Sequence, residues 1–407
     1  MTLDEAGLAR LASERWFGGK GRRIVSASRV ERVEVEGGGL TLVEVAYEEG
    51  PEELYTLLEP EHGGYWAALL RSLAHGKASG SFRLEALPAL GELAGLSERP
   101  LGADQSNSSF VLGERLVLKC YRRVWPGPHP EVELVTSLGG EGRLPFVPEV
   151  AGSIHWGDPP CAIALLQAYV PGAKDGWAWA GEELAGFLGG AGLAETTAWA
   201  VTLGGIVAEL HDALADRFGA RPAATGDLLA WFRRASALVE QVERLPHGLD
   251  GLARVVRNEL APLAAPPAAP SLTRIHGDLH AGQILRSQSG YHVIDFEGEP
   301  TRPPGERRAL DSPLRDVASI IRSFDNLARS AVRELGGEES IVARTWAARA
   351  RERFLEAYSR RRPLEPVLLR ALEVEKAVYE LAYATAYLPE WADVARPALR
   401  DLIAGAS

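Results

Sequence analysis

Residues 276–299 hold the densest set of groups able to do chemistry. They read His276-Gly277-Asp278-Leu279-His280-Ala281-Gly282-Gln283, then, after two apolar stretches, Asp295-Phe296-Glu297-Gly298-Glu299. Asp278 falls in a glycine-flanked turn. The amide of Gln283 follows five residues later, ahead of an apolar strand, and Asp295 ends a second one. One carboxylate can orient or deprotonate a hydroxyl, while an amide oxygen and a second carboxylate hold a divalent cation. That is the inventory phosphoryl transfer requires. A plainer reading exists, since an Asp in a turn commonly caps its own backbone. His276 and His280 stand at the i, i+4 spacing of zinc ligands, but Gly277 and Asp278 oppose the helix such a pair needs.

The parts upstream add weight through their order. Residues 106–120 read as a hairpin whose second strand ends at Lys119, a cation placed to hold nucleotide phosphates. Glu131 and Glu133 lie on a short helix started by Pro130, and either is available to pair with Lys119. Ser106, Asn107, Ser108 and Ser109 precede the hairpin and can offer hydroxyl and backbone donors to phosphates. The protein-kinase catalytic loop has the same five-residue step from Asp to an amide, followed by a metal-binding Asp-Phe-Gly. Here the amide is Gln, and Asp295-Phe296-Glu297 stands in the later position. No G-x-S-x-G, G-x-x-x-x-G-K-[ST] or G-x-G-x-x-G string occurs.

The elements that must position these groups follow from periodicity. Residues 29–47 alternate apolar and charged residues around a Gly triplet, which predicts a hairpin with one solvated face. Further strands are expected at 54–58, 162–170, 283–285 and 292–296. Helices are expected at 131–138, 199–214, 341–358 and 364–387, and the proline-rich 261–270 is expected to be a loop. A break at 88–100 and the Pro171-Gly172 pair suggest a division into 1–95, 96–170 and a mostly helical 171–407. The 407 residues carry 44 Lys and Arg against 55 Asp and Glu, a formal charge of −11. An acidic chain lacks the basic footprint of a nucleic-acid binder. Two isolated cysteines, Cys120 and Cys161, argue against a thiolate zinc site. No apolar run is long enough to span a membrane and no secretory leader is apparent, so a cytoplasmic protein is expected.

At these residues the chain resembles the aminoglycoside-phosphotransferase-like kinases, and within them the maltokinase-like branch. The branch is suggested by Arg15-Trp16-Phe17-Gly18-Gly19-Lys20-Gly21-Arg22, by Gln105 to Ser109, and by Asp175-Gly176-Trp177. It is suggested again by Pro313 to Ala318, Arg322-Ser323-Phe324 and Lys376-Ala377-Val378-Tyr379-Glu380. The resemblance spans nearly the whole chain. It implies an α/β (α+β), bilobal protein-kinase-like fold. An N-terminal α+β cap (1–95) would precede a nucleotide lobe (96–170) and a helical lobe (171–407).

The resemblance also implies roles. Asp278 would be the catalytic base, with Gln283 and Asp295 as Mg²⁺ ligands for ATP. Lys119 would bind phosphate with Glu133 as its partner, beside Ser106, Asn107, Ser108 and Ser109. Gln167, Tyr169 and Val170 would meet the nucleotide base. His280, Glu297, Arg315, Asp316, Tyr379, Glu380 and Trp391 would contact a small sugar. Residues 381–391 keep the Pro and Trp of maltokinases but lack their Arg/Asn pair. The expected acceptor is therefore an amino sugar such as glucosamine, giving glucosamine 6-phosphate. The alternatives are maltose, giving maltose 1-phosphate, an aminoglycoside antibiotic, or a nucleotide-binding pseudokinase.

Overall fold

Gly37 and Gly38 turn the chain at φ of 90° and 148°, a region open to glycine. The alternating segment around them thereby closes into a hairpin. The computed structural model describes residues 5–14, 16–76, 80–93, 95–102, 107–139, 144–245, 248–249, 251–335 and 339–405. The chain divides into two compact units, Met1–Gly172 and Ala173–Ser407.

The first unit contains α1 (Glu5–Ser13), β1 (Ile24–Val35), β2 (Gly38–Tyr47), β3 (Glu53–Glu59), α2 (Trp66–Ala74), β4 (Phe82–Ala86), β5 (Glu98–Pro100), β6 (Ser108–Leu112), β7 (Leu116–Cys120), β8 (Arg123–Val124), α3 (Pro130–Leu138), β9 (Val150–Trp156) and β10 (Cys161–Ala168). Two antiparallel sheets form, ordered β1-β2-β3-β8 and β4-β9-β10-β7-β6-β5. The sheets exchange strands across residue 95, because β4 joins the second and β8 the first. The expected solvated face holds for neither side of β2. Leu40 and Leu42 enter the main core with Trp66, Leu69 and Phe110, while Val43, Val45 and Tyr47 pack on the other face with Leu11 and Phe17. A strand covered on both faces must be apolar on both, whereas the edge strand β1 keeps a wet side.

The N-terminal Trp-Phe-Gly-Gly motif proves architectural. Trp16 lies under the Arg122 guanidinium at 4.8 Å. Arg22 stacks on Tyr47 at 3.5 Å and pairs with Glu53 at 2.6 Å. Arg123 reaches the same carboxylate at 2.7 Å. A Cβ at Gly19 would fall 2.3 Å from the Tyr47 hydroxyl, so glycine is required by close approach. Arg15 lies outside the described residues.

The second unit contains α4 (Gly176–Leu188), α5 (Leu193–Thr196), α6 (Trp199–Phe218), β11 (Arg221–Pro222), α7 (Thr225–Glu243), α8 (Ala253–Leu260), β12 (Ser271–Leu272), β13 (Ile284–Ser287), β14 (Gly290–Val293), α9 (Pro304–Arg307), α10 (Leu314–Leu335), α11 (Glu339–Ser359), α12 (Pro366–Tyr387) and α13 (Ala392–Ala404). Its interior holds an aromatic cluster in which Trp199 meets Trp179, Phe324 and Trp346 at ring separations of 5.1, 5.0 and 5.7 Å. Among the described residues no helix is long and apolar enough to cross a membrane. The strand expected at 292–296 ends at Val293, because Asp295 adopts φ of 66° and leaves the ladder.

Candidate active site

In the first unit the hairpin β6–β7 fixes Lys119, which lies across the ladder from Ser109. Its ammonium pairs with Glu131 at 2.9 Å, and the Tyr121 hydroxyl donates to the same carboxylate at 2.9 Å. The partner is therefore Glu131 and not the expected Glu133. Glu131 is 1% exposed, whereas Glu133, two residues on, points to a different side of α3 and stays half-buried. Asn107 Oδ1 accepts from the Arg122 backbone N–H at 3.2 Å, and Ser108 Oγ accepts from Arg122 Nε at 2.8 Å. These two side chains therefore brace Arg122 as they enter β6. Ser106 lies outside the described residues. On β10, Gln167 donates to the Pro148 carbonyl at 3.3 Å. The N–H of Tyr169 donates to the Arg115 carbonyl at 2.8 Å, and its hydroxyl accepts from Arg99 at 3.1 Å. Val170 is the next backbone position.

In the second unit the turn 276–281 hangs on α10. Asp316, in the first turn of that helix, accepts from the His276 N–H at 2.8 Å and the Gly277 N–H at 2.9 Å. Its third partner is the fully buried His211, at 3.1 Å. Seven residues on, along the same helix face, Ser323 Oγ accepts from the Ala281 N–H at 3.0 Å. Both ends of this turn are thus tied to one helix. His276 accepts weakly from the Asp278 N–H through Nδ1 and donates from Nε2 to the Ile294 carbonyl at 2.9 Å, joining the turn to the strand before Asp295. Gly277 has φ of 87°, and a Cβ there would meet the Gly298 backbone at 3.1 Å.

Asp278 accepts a hydrogen bond from Lys376 Nζ at 3.1 Å. Burial alone would raise its carboxyl, but the ammonium of Lys376, with help from His280, reverses this and holds it below the usual carboxylate range. Lys376 is held protonated in turn: burial works against its charge, but Asp278 raises its pKa well above normal. Gln283 Nε2 donates to Asp295 Oδ2 at 3.0 Å, so the two expected metal ligands meet. Asp175 caps α4 by accepting from the Ala178 N–H at 3.0 Å, Gly176 packs against the Ala281 carbonyl, and Trp177 stacks on His280 at 5.8 Å.

A cavity of about 330 Å³ opens beside this turn, lined by Gly277, Glu299, Lys376, Tyr379, Arg315 and Arg234 among others. Of the expected acceptor contacts, Arg315 and Tyr379 line it. Asp316 does not: it is 1% exposed and occupied with three donors, so it positions the turn. Glu380 pairs with the buried Arg322 at 2.9 Å, about 100° round α12 from Tyr379, and does not line the cavity. Glu297 lies 4.0 Å from Arg307, His280 packs on Trp177, and Trp391 sits in the short turn before α13; none of these lines the cavity. Lys376 and Glu299, which line the cavity, were not among the expected site residues. Both occur in the motifs quoted above, yet nothing in a single sequence shows that residue 376 reaches residue 278.

The phosphotransferase enzyme family model matches residues 97–364. The glucosamine kinase of Mycolicibacterium smegmatis is 33% identical over 325 residues, covering 75% of this chain and 80% of that one. The glucosamine kinase of Streptacidiphilus jiangxiensis is 33% identical over 356 residues, covering 83% and 80%. A glucosamine kinase solved with glucosamine, ADP and inorganic phosphate superposes with a TM-score of 0.75 at 27% identity, covering 99% of this chain and 100% of that one. The turn carrying Asp278, the strand pair leading to Asp295 and the Lys119–Glu131 pair all fall within the matched residues, and the chain belongs to the phosphotransferase enzyme family.

Proposed function

We propose that the chain transfers the γ-phosphoryl group of ATP to a hydroxyl of an amino sugar, with glucosamine the acceptor and glucosamine 6-phosphate the product. The observation that carries this reading is Asp278, held ionised by Lys376 at the edge of a cavity that Lys376 itself lines. An ionised carboxylate there accepts a hydrogen bond from the acceptor hydroxyl, aligns its oxygen for in-line attack and takes its proton as the bond to phosphorus forms. Glu299 and Tyr379 on the same cavity supply a carboxylate for a sugar ammonium and a ring face for a pyranose. The relatives at 33% identity are glucosamine kinases, which weighs against maltose and against an antibiotic acceptor.

Asp295 and Gln283 fit a hard divalent cation: both offer side-chain oxygens, and their side chains already touch. Turning the Gln283 amide over exchanges its N–H for its carbonyl oxygen at no steric cost. Bound there, Mg²⁺ would neutralise charge on the transferring phosphates. Asp295 persists at φ of 66°, a conformation that strains a non-glycine residue by about 1–3 kcal/mol and is retained mainly where a side chain must be aimed. Lys119, braced by Glu131, supplies the cation for the nucleotide phosphates.

The test is ATP consumption with glucosamine, N-acetylglucosamine, glucose, maltose and kanamycin, using wild type and Asp278→Asn. Glucosamine is expected to give the highest kcat/KM. Asp278→Asn should keep nucleotide affinity while losing turnover by at least ~10²-fold. Turnover on maltose alone, or near wild-type turnover in the variant, overturns the reading.

A further inference from the structure

We propose that the cavity beside the catalytic turn also binds an oxyanion of the phosphate type, gripped by Arg234, Arg302, Arg315 and Ser319. The four come from three places: Arg234 from α7, Arg302 from the loop before α9, and Arg315 and Ser319 from successive turns of α10. All four line the cavity.

Three guanidiniums there share two buried carboxylates. Asp311 accepts from Arg302 at 3.1 Å and from Arg315 at 2.7 Å, with Arg234 at 3.8 Å. Glu375 accepts from Arg315 at 2.6 Å, with Arg234 at 3.7 Å. After these bonds the surplus is entirely on the donor side. Nε and Nη2 of Arg234, Nε of Arg302, Nη2 of Arg315 and Oγ of Ser319 are buried and have no hydrogen-bond partner. Ser319 is only 5% exposed. The remaining carboxylates do not meet this surplus. Glu299 stands 3.6 Å from Arg302 and already accepts from Thr301 at 2.8 Å, and Glu306 is exposed at the rim.

Buried donors are normally satisfied, so a group of them around one cavity marks a place for acceptors. Guanidinium forks match the oxygens of phosphate bidentately, which makes arginine the fitting residue. Arginine content alone is not the criterion. A second cavity, of about 500 Å³, is lined by Arg322, Arg329, Arg344, Arg351 and Arg370. Each of those holds a carboxylate at 3.3 Å or less, and among their described donors one, Arg322 Nε, is buried without a partner, against five around the first cavity.

Free inorganic phosphate and the phosphate of a phosphorylated sugar share this chemistry; only the second source rests on the kinase reading. The test is thermal unfolding of the full chain, without nucleotide or sugar, titrated with sodium phosphate against sodium chloride at matched ionic strength. Wild type should show a saturable rise in Tm. Arg234→Gln should weaken phosphate at least about tenfold, and Arg344→Gln, at the second cavity, should leave it as in wild type. If Arg234→Gln does not fold, Ser319→Ala is expected to weaken phosphate in the same direction. No saturable rise in wild type, or equal responses of the two arginine variants, overturns the proposal. A repeat with glucosamine 6-phosphate separates the sources. Tighter binding that competes with glucosamine identifies the sugar phosphate, and equal binding with an unchanged glucosamine KM identifies free phosphate. A chain that binds phosphate this way but phosphorylates no sugar sinks the kinase reading and leaves this one standing.

Discussion

Lys376→Met removes the ammonium 3.1 Å from Asp278 Oδ1 and keeps most of the apolar stem. The two side chains are 16% and 18% exposed, so water screens the pair weakly. An opposite charge at that range lowers a carboxyl pKa by ~1–3 units. Without it the burial effect loses its largest opponent, leaving mainly His280 against it, and the Asp278 pKa rises from its wild-type position. The wild-type pair itself is silent over the assay range. Asp278 has its folded pKa below the unfolded value of ~3.9, so its stabilisation is present above that pH and is lost as pH falls through the folded value. Lys376 has its folded pKa above ~10.4, so its contribution is present below that pH and is lost as pH rises through the folded value. Between about pH 5 and 9 neither contribution changes, and a rate profile there reports protonation rather than unfolding of this pair. ADP release, followed in a coupled assay with glucosamine, should show the acid limb of kcat/KM shifted upward by ~1–3 pH units in the variant. The unpaired carboxylate should also lower stability by ~1–3 kcal/mol in urea unfolding. Acid limbs that superimpose, with only a uniform loss of rate, would refute the claim that Lys376 sets the ionisation of Asp278.

Two further outcomes follow from the same geometry. Glu131→Gln should raise the KM for ATP by about tenfold, and by more than Glu133→Gln does, because Glu131 pairs with the Lys119 ammonium at 2.9 Å; steady-state kinetics at saturating acceptor decides it. Asp316→Ala leaves two backbone N–H groups and His211 without their acceptor, so unfolding should show a loss of about 3 kcal/mol, with kcat falling more than the KM for ATP changes.

The chemistry-bearing loop was legible because its groups are local in sequence. Asp278, Gln283 and Asp295 lie within 18 residues, and the strands between them carry their own apolar signature. The hairpin ending at Lys119 was legible for the same reason. What local pattern could not supply was the identity of partners across long separations. Glu131 and Glu133 are equivalent by composition, and only the phase of α3, started by Pro130, buries one and turns the other aside. The double-sided burial of β2 was hidden as well, since a hairpin with alternating charges looks half-wet until a second core forms on its outer face. Asp316 and Glu380 were read as acceptor contacts because carboxylates near a site suggest ligands, yet both are consumed inside the protein.

These cases separate two kinds of sequence information. The turn 276–281 is neither a strand nor a regular helix over its first half, so its own residues cannot fix its shape. Its shape is imposed by α10, where Asp316 and Ser323 stand seven residues apart on one face and hold three of its N–H groups. The geometry proposed for phosphoryl transfer is therefore encoded twice, in the loop that carries Asp278 and in the spacing of the helix that holds it, and the sequence alone showed the first and not the second. The acceptor side is encoded once. Arg234, Glu299 with Arg302, Arg315 and Lys376 come from four stretches of chain and meet at one cavity. No spacing rule relates them, and each alone reads as a solvated surface charge. That asymmetry is why the reaction type was legible in the residues of one loop, while the amino-sugar acceptor was expected only through the family resemblance and the residues lining the cavity were not seen to meet.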